Sequence, residues 1–169
     1  EAQHEALRNL PVYIFSATFA KEHGELETYR ASHRANVDCK NAIEDAIADH
    51  YRDNRLDTSC VNEVIDRFGM ERVAFVLANT VQQKDWDGRI SRDNKAWAKS
   101  IPIFENPDAW GTDRNCFFVV NSHPGLTDLF VTRARKEIAE QEKGHRPSAI
   151  EKLKQQPKNN SPKLSANFK

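Results

Sequence analysis

Apolar residues along this chain recur mostly at helical spacing, and polar turns cut the pattern into separate helices. Residues 1–9 read as a short fraying helix, followed by an apolar stretch, residues 10–15, that Pro11 keeps out of a helix interior. Ser16 is placed to cap a short helix over residues 17–23, stopped by Gly24, with Phe19 and Ala20 turned inward. Residues 25–51 form the clearest long helix, with Leu26, Tyr29, Cys39, Ile43, Ala46 and Ile47 on one side. Asp53-Asn54 is a turn, and Asp57 or Thr58 caps a helix over residues 59–68 that buries Val61, Val64, Ile65 and Phe68 before Gly69. Met70–Gln83 is apolar almost all round, which predicts a central helix covered on most sides. Its β-branched run also suits a buried strand, but no turn signal interrupts it, and that favours the helix.

The pattern then changes character. Lys84 to Lys99 concentrates Asp85, Trp86, Asp87, Gly88, Arg89, Asn94 and Trp97, and Ser91 caps a short helix, Arg92–Lys99. Residues 101–104 are extended because Pro102 biases its predecessor away from helix. Residues 106–115 are loop, and residues 116–120 read as a short buried strand. Ser122 caps a last helix with Pro124 in its first turn, running to about Lys143. Beyond Gly144 the chain is rich in Pro, Asn and Gln. The predicted fold is mainly α: a compact single-domain helical fold with one or two short extended segments and a disordered C-terminal tail. Its parts are an N-terminal extension (residues 1–10), a globular helical domain (11–143) and a basic tail (144–169).

Charge adds one fact to this picture. The chain holds 25 basic and 25 acidic residues, yet from Gly144 onward Arg146, Lys152, Lys154, Lys158, Lys163 and Lys169 face only Glu151. The tail therefore carries +5 and residues 1–143 carry −5. Such a tail either attaches to nucleic acid through Lys152, Lys154, Lys158 and Lys163, or is simply solvated. Cys39, Cys60 and Cys116 are odd in number with no CxxC spacing, so they predict reduced thiols rather than a zinc knuckle or disulfide framework. No apolar run approaches the ~20 residues of a membrane span, and no signal peptide precedes the core. These features predict a cytoplasmic protein that does not enter a membrane. The chain begins at Glu1 rather than Met, and a processed or excised piece is the expectation.

No motif identifies a reaction. Read as a calcium loop, Asp85 onward would put Arg89 fifth and Ala96 twelfth, where oxygen ligands and a glutamate are needed. Asp85, Asp87 and Asp93-Asn94-Lys95 resemble the acid-and-lysine pattern of metal-dependent nucleases, but that geometry is built on strands and Arg92–Lys99 is helical. His33 and Cys39 are six apart on one helix and point in different directions, so they cannot form a thiolate–imidazole pair. Glycines are scattered singly, without a phosphate loop. Ser122-His123-Pro124-Gly125 either caps its helix or holds an anion on free N–H groups. No catalytic residue, metal ligand or cofactor follows.

Two polar groups remain as candidate binding residues. Ser32 and Asn36, flanked by His33, project within about 20° of Ile43 on an ideal helix, so they form either an internal network or the wall of a site. Asp85, Trp86, Asp87, Arg89, Asn94 and Trp97 form either a recognition surface or an internal assembly, with both tryptophans in the core and the acids paired to Arg89. If internal, the loop would serve as a polar staple against Ser32 and Asn36.

The order of these residues resembles a domain-of-unknown-function family encoded on conjugative and other mobile elements of gut bacteria. The likeness rests on Pro11-Val12-Tyr13, Ala20 to Glu25, Tyr29 to His33, Asn36 with Cys39, Arg72-Val73 and Val76 to Gln82. It continues through Asp85 to Arg89, Ser91, Asn94, Trp97-Ala98 and Ser122-His123-Pro124, covering roughly residues 11–140. The family has no established reaction, so the resemblance transfers no catalytic residue. What it implies is a setting: an accessory protein of a mobile element in a bacterial cytoplasm. The expected function is non-enzymatic binding of a protein or nucleoprotein target, as an inhibitor of a host defence system. The alternatives are nucleic-acid binding through the tail in element maintenance or transfer, and an enzyme using Asp85, Asp87 and Asn94 with His33 or His123.

Overall fold

The computed structural model describes residues 8–103 and 117–155, with side chains to Lys143. Among them are six helices: α1 (Ala17–Glu22), α2 (Leu26–His50), α3 (Cys60–Phe68), α4 (Met70–Gln83), α5 (Arg92–Lys99) and α6 (Pro124–Gln155). Two short strands, β1 (Tyr51–Arg52) and β2 (Arg55–Leu56), pair antiparallel between α2 and α3. The fold is mainly α, as the apolar spacing predicts. The chain divides into two units, Glu1–Arg135 and Lys136–Lys169, and α6 runs from the first into the second.

Helix α4 is the centre of the first unit. Residues Arg72, Val73 and Phe75 to Val81 are all buried, and α2, α3 and α5 each pack against it. Each such aliphatic side chain removed from water stabilises the fold by roughly 1.5–3 kcal/mol. Ile43 and Ile47 of α2, Val61, Ile65 and Phe68 of α3, and Phe130, Val131 and Ala134 of α6 complete the core.

Local signals set the joints. Asp53 and Asn54 both take positive φ (53° and 63°), so the expected turn is a two-residue type I′ hairpin. Gly69 joins α3 to α4 at φ +87°, and a Cβ there would sit 2.9 Å from the Arg8 carbonyl oxygen. Only glycine meets both conditions. The Ser16 and Ser91 hydroxyls accept from the Phe19 and Asn94 N–H groups, which makes both the expected N-caps. Asp57 Oδ1 accepts from the Ser59 N–H (3.0 Å) at the entry to α3.

Three expectations change. The strand expected over residues 116–120 is instead a turn of 3₁₀ helix at Phe117-Phe118, while Cys116 lies outside the described residues. The backbone of Val120 bonds to side chains rather than a strand partner: its N–H donates to Thr80 Oγ1 (3.0 Å) and its carbonyl accepts from Lys84 Nζ (2.9 Å). At α6 the capping side chain is that of His123, not Ser122, with Nδ1 accepting from the Gly125 N–H (3.0 Å). Finally, α6 does not stop near Lys143 but continues to Gln155, with Gly144 and Pro147 inside it. The residues expected as tail thus begin as helix.

Candidate functional site

The polar side of α2 closes on Arg72 of α4, which is 1% exposed. Arg72 Nε donates to Asn36 Oδ1 (2.8 Å), and Nη2 donates to Ser32 Oγ (3.0 Å). Its two terminal nitrogens also reach back to the entering chain, to the carbonyls of Leu10 (2.8 Å) and Pro11 (3.0 Å). Ser32 Oγ in turn accepts from the Tyr13 N–H (2.9 Å). A cation is thus held inside the fold by neutral acceptors, tying residues 10–13, α2 and α4 together. Burial pushes its pKa below the ordinary arginine value, the change expected when water is removed from a charge. Burial also pushes the neighbouring Cys39 thiol up to about 12, so it is a protonated core residue despite the nearby positive charge of Arg72.

The Asp85–Arg89 loop is built differently. Asp87 is buried, and its Oδ1 accepts from both the Arg89 N–H (2.9 Å) and Nε (3.1 Å). Oδ2 accepts from Arg89 Nη2 (2.9 Å), so the guanidinium grips the carboxylate two residues back with both arms. These bonds from Arg89 hold the Asp87 carboxyl well below its usual range, at about 2. The loop is anchored on each side, by Lys84 on the Val120 carbonyl and by buried Ile90. Asp85 points to solvent, and Trp86 is 75% exposed on top of the loop.

Asn94 belongs to neither group. It is buried, and its Nδ2 donates to Asp128 Oδ1 (2.6 Å) and Thr132 Oγ1 (3.0 Å) of α6. Arg135 Nη1 donates to Asn94 Oδ1 (2.9 Å), and the same guanidinium lies over the Trp97 ring at 5.8 Å. Asn94 and Trp97 therefore share the face of α5 that meets α6, as their three-residue spacing predicts.

The candidate residues thus fall into three places rather than one. Ser32 and Asn36 are joined to Arg72, not stapled to the Asp85–Arg89 loop. Asp87 and Arg89 form the expected internal pair while Asp85 stays outside it. The two tryptophans, which the internal alternative would place in the core, part company: Trp97 is half-buried and Trp86 stands in solvent. His33 stacks on Tyr29 (6.1 Å) and meets Phe117 and Phe118 edge-on, part of an aromatic strip that also takes in Tyr13, Phe15 and Phe19. His123 is exposed at the start of α6. Lys152 and Lys154 lie in the last turns of α6, and Lys158 and Lys163 lie outside the described residues.

Arg72 is the residue that reasoning from the sequence passed over as a site. One signal was present: an arginine on a helix otherwise apolar almost all round must find partners inside. Asp128, Thr132 and Arg135 carried none, since their apolar neighbours alone predict α6. Among the described residues, no group of three or more His, Cys, Asp or Glu is placed to hold a metal ion. Among them, too, no helix is long and apolar enough to cross a membrane.

The fold is thus a small helical domain with its polar candidates divided between interior networks and one exposed loop. The chain belongs to the family described as protein of unknown function (DUF3849), whose model matches residues 12–139. No curated protein and no solved structure matches it.

Proposed function

We propose that the protein acts by binding, with Trp86 as the anchor through which it engages a protein or nucleoprotein target. The observation that carries this reading is the exposure of Trp86 on a loop fixed from beneath. A large aromatic side chain 75% exposed to water on a pinned turn loses apolar hydration when covered, and little conformational entropy. Arg89 and Asp85 flank it with charges of both signs, which suits a polar rim around an aromatic anchor. The resemblance to a domain-of-unknown-function family encoded on mobile elements of gut bacteria adds the setting: an accessory protein in the bacterial cytoplasm that inhibits a host defence system. That setting rests on the resemblance alone.

The test is affinity capture from bacterial lysate with the wild-type and Trp86→Ala proteins side by side. The expected result is a specific partner retained by the wild type and weakened by about tenfold or more in the variant, the scale of an interface hot spot. Capture of no specific partner, or equal capture by the two proteins, overturns the reading.

A further inference from the structure

A second surface lies on α2 and α3, on elements separate from the Trp86 loop. The two helices pack against each other but leave an open groove of about 480 Å³. Its apolar lining comes from Ala42 and Ala46, one turn apart on α2, and from Cys60 and Val64, one turn apart on α3. The alanines are why the groove exists, because a longer side chain at either position would fill the gap between the helices. A volume of this size is within the range of built ligand sites.

Its polar lining is strongly one-signed. Asp45 and Asp49 of α2 and Glu63 and Asp66 of α3 face the groove with one guanidinium, that of Arg67, and the imidazole of His50, whose Nδ1 is 2.9 Å from the Ala46 carbonyl oxygen. None of these four carboxylates makes an ion pair or hydrogen bond among the described residues, whereas Glu27, Glu44 and Asp87 each hold a cation. Arg67 is itself engaged, 5.0 Å over the Phe68 ring. The acids are not gathered tightly enough to share one metal ion. Like charge turns nucleic acid away. What complements spaced carboxylates over a small-residue floor is a chain that spreads its positive charges at matching intervals and brings methylene stems to the floor.

We propose that this groove docks a lysine- or arginine-rich peptide segment of a partner protein. Exposed charge pairs are individually weak, so such docking is modest in affinity and falls as salt screens it. The inference does not depend on the Trp86 reading, since the two surfaces share no residue and can fail separately.

The experiment titrates the 169-residue protein with a fluorescein-labelled helical peptide of Ala and Leu carrying Lys at every fourth position, beside the same peptide with Glu in place of Lys. The proposal expects saturable binding of the Lys peptide only, weakened several-fold on raising the salt. It also expects a loss of about tenfold or more in the combined variant Asp45→Asn, Asp49→Asn, Glu63→Gln and Asp66→Asn. The amides keep size and shape, and a matching unfolding midpoint confirms that the variant is folded. A second variant, Ala46→Trp, fills the floor without touching charge and is expected to block binding as well. Unchanged binding by both variants overturns the proposal, as does equal binding of the Glu peptide. It is also overturned if spermidine binds the wild type as tightly as the peptide does. If the peptide binds only after Lys152, Lys154, Lys158 and Lys163 are changed to Gln, the occupant is the chain's own basic segment and the proposal is likewise overturned.

Discussion

Arg72 and Arg89 begin only 17 residues apart in sequence and end in opposite circumstances. Arg72 is sealed in the core and, among the described residues, makes no ion pair; it is held by a serine hydroxyl, an asparagine oxygen and two backbone carbonyls. Arg89 keeps more than half of its side chain in water, and it is the carboxylate it grips that is buried. In the first case the cation joins three segments distant in sequence; in the second the pair closes a turn on itself. The lesson is that a polar residue in a candidate site is informative through its partner's distance along the chain. Long-range partners mark groups that hold the fold, and local partners free a loop to present its neighbour. Here the presented neighbour is Trp86.

The largest effect is expected at Arg72. Arg72→Met leaves several buried acceptors without a donor at once and should destabilise the protein by about 3–5 kcal/mol, read as a fall in the urea midpoint. Arg72→Lys should recover only part of this, because one ammonium cannot reproduce the planar fork that reaches α2 and the entering chain together. Full recovery by lysine would mean that charge, not geometry, matters there.

Asn94 comes next. Asn94→Ala should cost about 2 kcal/mol by thermal unfolding, since Asp128, Thr132 and Arg135 each lose a bond. Asn94→Asp should be worse than alanine, because it sets a second carboxylate against Asp128. A milder effect from aspartate would contradict the geometry of the α5–α6 contact.

At Asp87 the effect is a pH dependence. The folded carboxyl titrates at about 2 rather than its ordinary 3.8, so the ionised form favours the fold. Its contribution is complete above about pH 4 and is lost as pH falls toward about 2. Asp87→Asn should remove that part of the acid sensitivity, measured as unfolding midpoint against pH. Parallel curves for the two proteins would show that the pair stabilises nothing.

The smallest effect on stability is expected at Trp86. Trp86→Ala should shift the unfolding free energy by no more than about 0.5 kcal/mol, as for other exposed positions. A clear fall in the midpoint would place the ring against the fold and erase the contrast with Arg72.

Much of this was legible in the sequence, for identifiable reasons. Helices α4 and α5 match their predicted bounds because apolar period and the Ser91 cap act locally. The polar stripe of Ser32 and Asn36 on α2 was visible too, since helical period places them beside Ile43. Its partner was not: Asn36 and Arg72 are 36 residues apart, and no local pattern records which distant side chain will meet a stripe. The length of α6 was missed because Gly144 and Pro147 read as helix breakers, and their local cost does not end this helix. The strand expected before Ser122 failed for a related reason. Residues rich in Phe and Val suit a strand, but Thr80 and Lys84 take up the Val120 backbone instead. The groove between α2 and α3 left no mark beyond two alanines, whose meaning depends on the helix opposite.

The most direct measurement is the dissociation constant of the captured target for Trp86→Ala beside the wild type, at a temperature where both are folded. The prediction is a constant raised about tenfold or more with coincident unfolding midpoints. Equal constants would contradict it, leaving the Asp85–Arg89 loop as a pinned turn with no part in recognition.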